Sequence, residues 1–89
     1  MGNLLPIGTV VLLKNATKRV MIVGYLPKDN KTGKTCDYSG VIFPEGLIDS
    51  RRILIFDIDK IEKVCHEGLK DDEEVKKFLE HVAQVKEGR

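Results

Sequence analysis

The chain has 89 residues, of which 42% are hydrophobic and 33% are charged. A chain of this size supports one small core, and it excludes an enzyme of the barrel or doubly wound type, which needs roughly 150–250 residues. The 15 basic and 14 acidic side chains leave a net charge of +1, which excludes the strongly basic surface of a general nucleic-acid binder. We therefore predict a single domain over residues 1–89.

The sequence carries no membrane or export signal that we can identify. Its apolar runs are all shorter than the ~18–20 residues of a membrane-spanning helix, and its N-terminus lacks the basic start and apolar centre of a signal peptide. Cys36 and Cys65 lie far apart without the paired spacing of a disulfide or metal motif, which is typical of reduced thiols. We expect a cytoplasmic protein that makes no membrane contact.

Five short segments rich in β-branched and apolar residues predict five strands, bounded by turn-forming stretches such as Pro27–Lys34 and Pro44–Gly46. Their expected bounds are 7–14, 19–26, 35–43, 53–56 and 62–66. Before the last strand, Asp57 is a natural N-cap for a single helical turn over residues 58–61.

The second predicted strand has apolar side chains on both faces, which indicates a strand inside a closed or covered sheet. Simple alternation places two sets of side chains on opposite faces: Val20, Ile22 and Leu26 on one, and Met21, Val23 and Tyr25 on the other. Gly24 within this strand predicts a bend or a β-bulge.

The last segment changes to a helical period. Its apolar residues fall at i, i+3, i+4, i+7 and i+10, and they are Val75, Phe78, Leu79, Val82 and Val85. Asp71 followed by Glu74 resembles a capping box, and the acidic run Asp71–Glu74 suits the positive end of a helix dipole. Gly88 stops the pattern, so we predict a helix over about residues 71–87.

These elements predict a mainly β, α+β fold: a small five-stranded SH3-like barrel over about residues 7–66 with one C-terminal α-helix. Closing the sheet into a barrel would remove the edges that a short open sheet exposes. The apolar stripe of the helix would then cover one open end or side. The alternative is an open antiparallel sheet with one covering helix.

The sequence offers no set of residues for catalysis or metal binding. Cys65 and His66 are adjacent in a predicted strand, so their side chains point to opposite faces. The four possible metal ligands lack the short spacing of a zinc site, and they are Cys36, Cys65, His66 and His81. We therefore expect no enzyme activity, no cofactor and no metal.

A nucleic-acid-binding small barrel remains a minor alternative. Such barrels place aromatic platforms beside basic loops, and the candidates here are Tyr25, Tyr38 and Phe43 beside Lys18, Arg19, Lys28 and Lys34. Aromatic residues make up only 6% of the chain, and core packing explains some of them.

Four segments taken together resemble a family of small proteins from Gram-positive bacteria without an assigned biochemical activity. They are Leu5–Lys14, Val20–Tyr25, Asp37–Gly40 and Phe43–Gly46. Members of that family are often encoded beside type VII secretion genes and LXG-type toxins. The chain departs from the family pattern at Ile58, where the family tends to have histidine, which removes the family position that would hint at catalysis.

The resemblance implies a cytoplasmic accessory of toxin export. Such a protein would engage an LXG toxin, or the small helical proteins that target it, before secretion. The alternative within the same setting is an immunity protein that neutralises a toxin. In either case the partner is a protein.

We predict that the partner-binding surface lies around the third strand and the loop that follows it. Folding alone explains Tyr38 and Glu45 less well than their neighbours, since a core does not require a phenol and a turn does not require an acid. The adjoining loop would add apolar contacts from Leu47 and Ile48 and a polar rim. That rim consists of Arg51 and Arg52. The alternative location is the exposed face of the C-terminal helix.

Overall fold

A computed structural model describes residues 4–88 as five strands and one α-helix. The elements are β1 (Val10–Leu13), β2 (Arg19–Tyr25), β3 (Tyr38–Phe43), β4 (Leu54–Phe56), β5 (Ile61–His66) and α1 (Glu73–Glu87). Short 3-10 turns at Ser50–Arg52 and Ile58–Lys60 precede β4 and β5. The predicted number, type and order of elements are therefore confirmed, including the helical turn before the last strand.

The five strands form one antiparallel sheet in the order β4-β3-β2-β1-β5. The predicted closure into a barrel is wrong, because the described residues contain no pairing between β4 and β5 and the sheet stays open. A closed barrel requires the two edge strands of its sheet to share hydrogen bonds. The edge strands here are β4 and β5, and β4 has only three residues. The open sheet with one covering helix, which the sequence left as the alternative, is the arrangement found.

The predicted bulge in β2 is confirmed and lies at Val23. Ile22 pairs with Gly40 and Gly24 pairs with Ser39, so Val23 is the extra residue of β2. Such a bulge shifts the alternation of side chains by one position. Tyr25 therefore lies on the core face with Ile22, and not on the opposite face as simple alternation predicted.

The core lies between the sheet and α1, and Tyr38 is at its centre. Its buried members are Leu4, Val11, Val20, Ile22, Tyr38, Phe56 and Val82. The Tyr38 ring has 0% exposure, and its centroid is 5.6 Å from that of Phe56 and 6.0 Å from that of Tyr25. Val82 brings α1 into the same cluster, so the helix covers the sheet with part of its predicted apolar stripe.

The cap of α1 differs from the predicted one by one residue. The side chain of Asp72, and not that of Asp71, accepts a hydrogen bond from the Val75 N–H at 3.0 Å. The helix ends at Glu87, and Gly88 is its C-cap, as predicted. Between residues 4 and 88, no helix is long and apolar enough to cross a bilayer.

Gly40 is a point where β2 and β3 approach closely, and we expect Gly40→Ala to destabilise the fold. An added Cβ would lie 2.6 Å from Val20 Cγ1 and 2.8 Å from the Met21 carbonyl oxygen. Overpacking of this kind costs about 1–3 kcal/mol in the free energy of unfolding. Urea unfolding measures the loss. Gly88→Ala is the control, because its Cβ would lie no closer than 3.4 Å to its neighbours, and equal effects at the two positions would contradict the prediction.

Candidate functional site

Tyr38 is a core residue, so its predicted contact with a partner is wrong. It faces the interior from β3, and its phenol oxygen accepts a hydrogen bond from the Leu5 N–H at 3.1 Å. The phenol therefore has a structural use, which is to fix the segment that precedes β1. A partner cannot reach this side chain without opening the core.

The other five predicted residues lie together on the loop between β3 and β4, residues 44–53, which we call the β3–β4 loop. Leu47 and Ile48 are 62% and 64% exposed, although both are large and apolar. Ile53 at the end of this loop and Leu54 at the start of the edge strand β4 are also exposed, at 43% and 37%. The structure thus brings an apolar element to one edge of the sheet.

Short-range polar contacts hold the β3–β4 loop in shape. The Gly46 N–H donates to the Ile42 carbonyl oxygen at 2.7 Å, and Gly46 has a φ of +80°, which favours glycine. Lys18 on the neighbouring turn donates to Glu45 at 2.7 Å, and this hydrogen bond lowers the pKa of Glu45. The loop therefore presents its apolar side chains from a defined backbone.

The two arginines differ in their surroundings. Arg51 Nη2 lies 2.9 Å from Asp49 Oδ2, and Asp49 also accepts from the Arg51 N–H, which caps the first 3-10 turn. These bonds lower the pKa of Asp49 and raise that of Arg51. Arg52 is exposed on the same turn. The predicted polar rim is present, with one of its charges already paired.

A second apolar surface lies between α1 and the end of β2, and the sequence indicated it only as the exposed face of the helix. Two depressions of about 490 and 480 Å³ share Ile7, Tyr25 and Phe78, and we call them together the Phe78 groove. Phe78 is 51% exposed, and Leu69 at one end is 65% exposed. The sequence placed Phe78 in the apolar stripe of the helix, and no signal in it showed that the flank of this stripe, with Phe78 and Val85, stays exposed.

Four aromatic rings connect the Phe78 groove to the core. The centroid of Phe78 is 5.9 Å from that of Tyr25, which contacts Tyr38, which in turn contacts Phe56. The Tyr25 hydroxyl donates to the Leu5 carbonyl oxygen. Burial, with a smaller contribution from Tyr38, raises the pKa of Tyr25 to about 12.

The buried carboxylate of Asp37 fixes α1 against the sheet. Its Oδ2 accepts from the Ile58 N–H at 2.8 Å, and its Oδ1 lies 2.6 Å from Lys86 Nζ near the end of α1. The Asp37 N–H donates to Asp57 Oδ1 at 3.1 Å. Asp57 occupies the predicted N-cap position, but its side chain makes this long-range bond and does not cap its own turn.

The aromatic side chains do not form an exposed platform for nucleic-acid bases. Tyr38 is buried, Tyr25 is held by its hydroxyl bond, and the Arg19 guanidinium lies 5.1 Å above the Phe43 ring. In the part of the chain that the structure describes, no three His, Cys, Asp or Glu side chains group as metal ligands would. Leu47, Ile48, Leu69 and Phe78, each more than half exposed, belong to the two apolar surfaces described above.

Comparison with known proteins identifies one family. The family described as a domain of unknown function (DUF4176) matches residues 4–77, which include the whole sheet and the β3–β4 loop. No curated protein and no solved structure matches the chain significantly.

Removal of the Asp37 carboxylate should destabilise the fold strongly. Asp37→Ala leaves the Ile58 N–H without its acceptor and Lys86 without its partner, so we expect a loss of about 2–4 kcal/mol in the free energy of unfolding. Asp37→Asn keeps an acceptor oxygen and should lose less. Urea unfolding of both variants checks this order, which would be contradicted if the two variants were equally stable.

The stability should also fall at alkaline pH. Burial raises the pKa of Tyr25 from 10.0 to about 12, and it raises the pKa of Tyr38 as well. A group whose pKa is higher in the folded chain than in the unfolded chain stabilises the fold at any pH below its unfolded pKa. This contribution to stability is lost as the pH rises toward the folded pKa. We expect the free energy of unfolding of the wild type to decline between about pH 10 and 12. The free energy of unfolding of the Tyr25→Phe variant should decline less steeply over the same range. Equal slopes for the two proteins would contradict this assignment.

Proposed function

We propose that this chain, which belongs to the family described as a domain of unknown function (DUF4176), is a non-catalytic binding protein that accompanies a secreted toxin before its export. Its partner is an LXG toxin of a type VII secretion system or one of the small helical proteins that target such a toxin. The binding takes place in the cytoplasm, and the contact surface is the β3–β4 loop.

The observation that carries this proposal is the pair of exposed apolar side chains on a loop held in place. Leu47 and Ile48 extend into solvent from a backbone that is fixed by the Gly46 turn, the Glu45–Lys18 ion pair and the Asp49 cap. Burial of one such side chain contributes about 1.5–3 kcal/mol. Since the loop is already ordered, little of that free energy is spent on fixing its conformation when a partner binds.

The class of partner follows from the resemblance of the sequence to proteins encoded beside type VII secretion and LXG toxin genes. The composition of the surface supports a protein partner, because an apolar centre beside arginine side chains is typical of protein interfaces. A nucleic-acid partner is less well supported, since neither Tyr38 nor Phe43 is free to stack on a base.

Two lysines in place of the apolar pair should weaken binding without affecting the fold. Leu47→Lys with Ile48→Lys removes the apolar contact, so we expect at least a tenfold rise in Kd, which corresponds to about 1.4 kcal/mol. The measurement is co-purification and calorimetric titration with the LXG toxin and the small helical proteins encoded by neighbouring genes. The melting temperature should stay within a few degrees of the wild type, since both side chains are exposed.

The control is Val64→Lys, which places one of the two added charges at another exposed apolar position on β5, the opposite edge of the sheet. This variant should bind like the wild type. The proposal is overturned if the wild-type chain captures none of these neighbours or if the double variant binds unchanged. If the chain instead binds the lethal domain of the toxin and protects cells that produce it, the protein is an immunity protein and not an export accessory.

A further inference from the structure

The Phe78 groove is a second apolar surface, at a different place from the β3–β4 loop. The β3–β4 loop follows Phe43, which pairs with Arg19 at the start of β2, whereas the groove is lined by Tyr25 at the end of β2. Seven strand residues separate these ends by about 20 Å. One small partner segment therefore cannot fill both surfaces.

The groove exists because the sheet covers only one side of the apolar stripe of α1. Val75, Leu79 and Val82 are spaced by i, i+4 and i+7 and are at least partly buried. Phe78 and Val85, spaced by i and i+7, lie on the flank of the helix and remain exposed. Ile7 and Val23, also exposed, lie across from them and complete the walls.

The groove is formed in advance of any binding event. Its central residue Tyr25 is held by the bond to Leu5 and by the ring of Tyr38. Its helical wall is joined to the rest of the fold by the Lys86–Asp37 ion pair and by Val82 in the core. A fixed groove lowers the conformational cost of binding.

The length and shape of the groove suit an α-helix. From Asp72 to Val85 the lining helix rises about 20 Å, the length of a helix of about 13 residues. A strand would need unpaired backbone groups at a sheet edge, but β2 lies in the interior of the sheet and pairs on both sides. The helix-in-groove mode, with apolar anchors at i, i+3, i+4 and i+7, matches these walls.

The charge at one end of the groove defines the partner further. Asp72 and Glu74 line this end, and Asp71 and Glu73 adjoin them. The positive end of the helix dipole amounts to only about half a unit charge, so it does not neutralise the two carboxylates that line this end. Lys76 and Lys77 follow on the next turn of α1 but do not line the groove. The nearby Lys70 is already paired with Glu67 at 2.9 Å. A complementary partner therefore carries basic residues at this end.

We propose that the Phe78 groove docks an amphipathic α-helix of a protein partner, with basic residues in the turn that meets the N-terminus of α1. The inference rests on the proposed function only in taking the partner to be a protein. An antiparallel orientation places the basic turn at the C-terminus of the docked helix, where its own dipole also favours positive charge.

The test uses two synthetic 18-residue helical peptides and the full chain labelled with ¹⁵N. Both peptides carry leucines at i, i+3, i+4, i+7 and i+11; one has three lysines in its last turn and the other three glutamates. We expect saturable amide shifts at Tyr25, Phe78 and Val85, and about tenfold weaker binding of the glutamate peptide at low salt. Phe78→Lys should weaken binding of the lysine peptide by about tenfold or more.

Circular dichroism and melting will show whether Phe78→Lys loses stability. Val85→Lys is a second groove variant, which should weaken binding of the lysine peptide to the same extent and which decides the test if Phe78→Lys is unstable. Leu47→Lys is the control and should bind the lysine peptide like the wild type. The inference is overturned if no saturable shifts occur, if they map to the β3–β4 loop, if both groove variants bind normally, or if the two peptides bind equally. The peptide assay does not use the toxin, so the two tests are independent. Failure of the toxin to co-purify would overturn the proposed function, whereas the peptide titration alone tests the Phe78 groove.

Discussion

The buried carboxylate of Asp37 is the interaction on which the arrangement of the molecule depends. It joins the start of β3 to the turn between β4 and β5 through the Ile58 N–H, and to the end of α1 through Lys86. A buried charge is costly unless it is paired and hydrogen-bonded, so these contacts are required together. The helix is thereby held over Tyr38, and both the closed core and the open groove beside it follow from that position.

Most aromatic side chains of the chain pack in or against the core and hold neighbouring segments in place. Tyr38 holds Leu5 through its oxygen, and Tyr25 holds the same residue through its hydroxyl. Only Phe78 extends the row of rings to the surface. The other large exposed apolar side chains near the two surfaces are aliphatic, on a loop at one end of β2 and beside a helix at the other.

The bulge at Val23 shapes the Phe78 groove. Without the extra residue, Tyr25 would point away from the core, and the floor of the Phe78 groove would be absent. The same bulge exposes Val23, which forms part of the groove wall. A Cβ at position 24 would lie 2.5 Å from Ser39 Oγ, so a larger residue there would require the Ser39 hydroxyl to turn away. A local irregularity in one strand thus shapes a surface about 20 Å from the β3–β4 loop.

The sequence by itself determined the elements, because strand and helix periods, turn residues and caps are local signals. It located α1 within two residues at its start, predicted the bulge beside Gly24 and placed Leu47, Ile48 and both arginines on one loop. It could not assign Tyr38, because a phenol looks the same in sequence whether its oxygen meets a partner or the backbone of Leu5. Nor could it decide between barrel and open sheet, since strands with apolar residues on both faces fit either. Only the tertiary structure decided these points, because burial, sheet closure and the exposed flank of α1 depend on which residues meet across the fold.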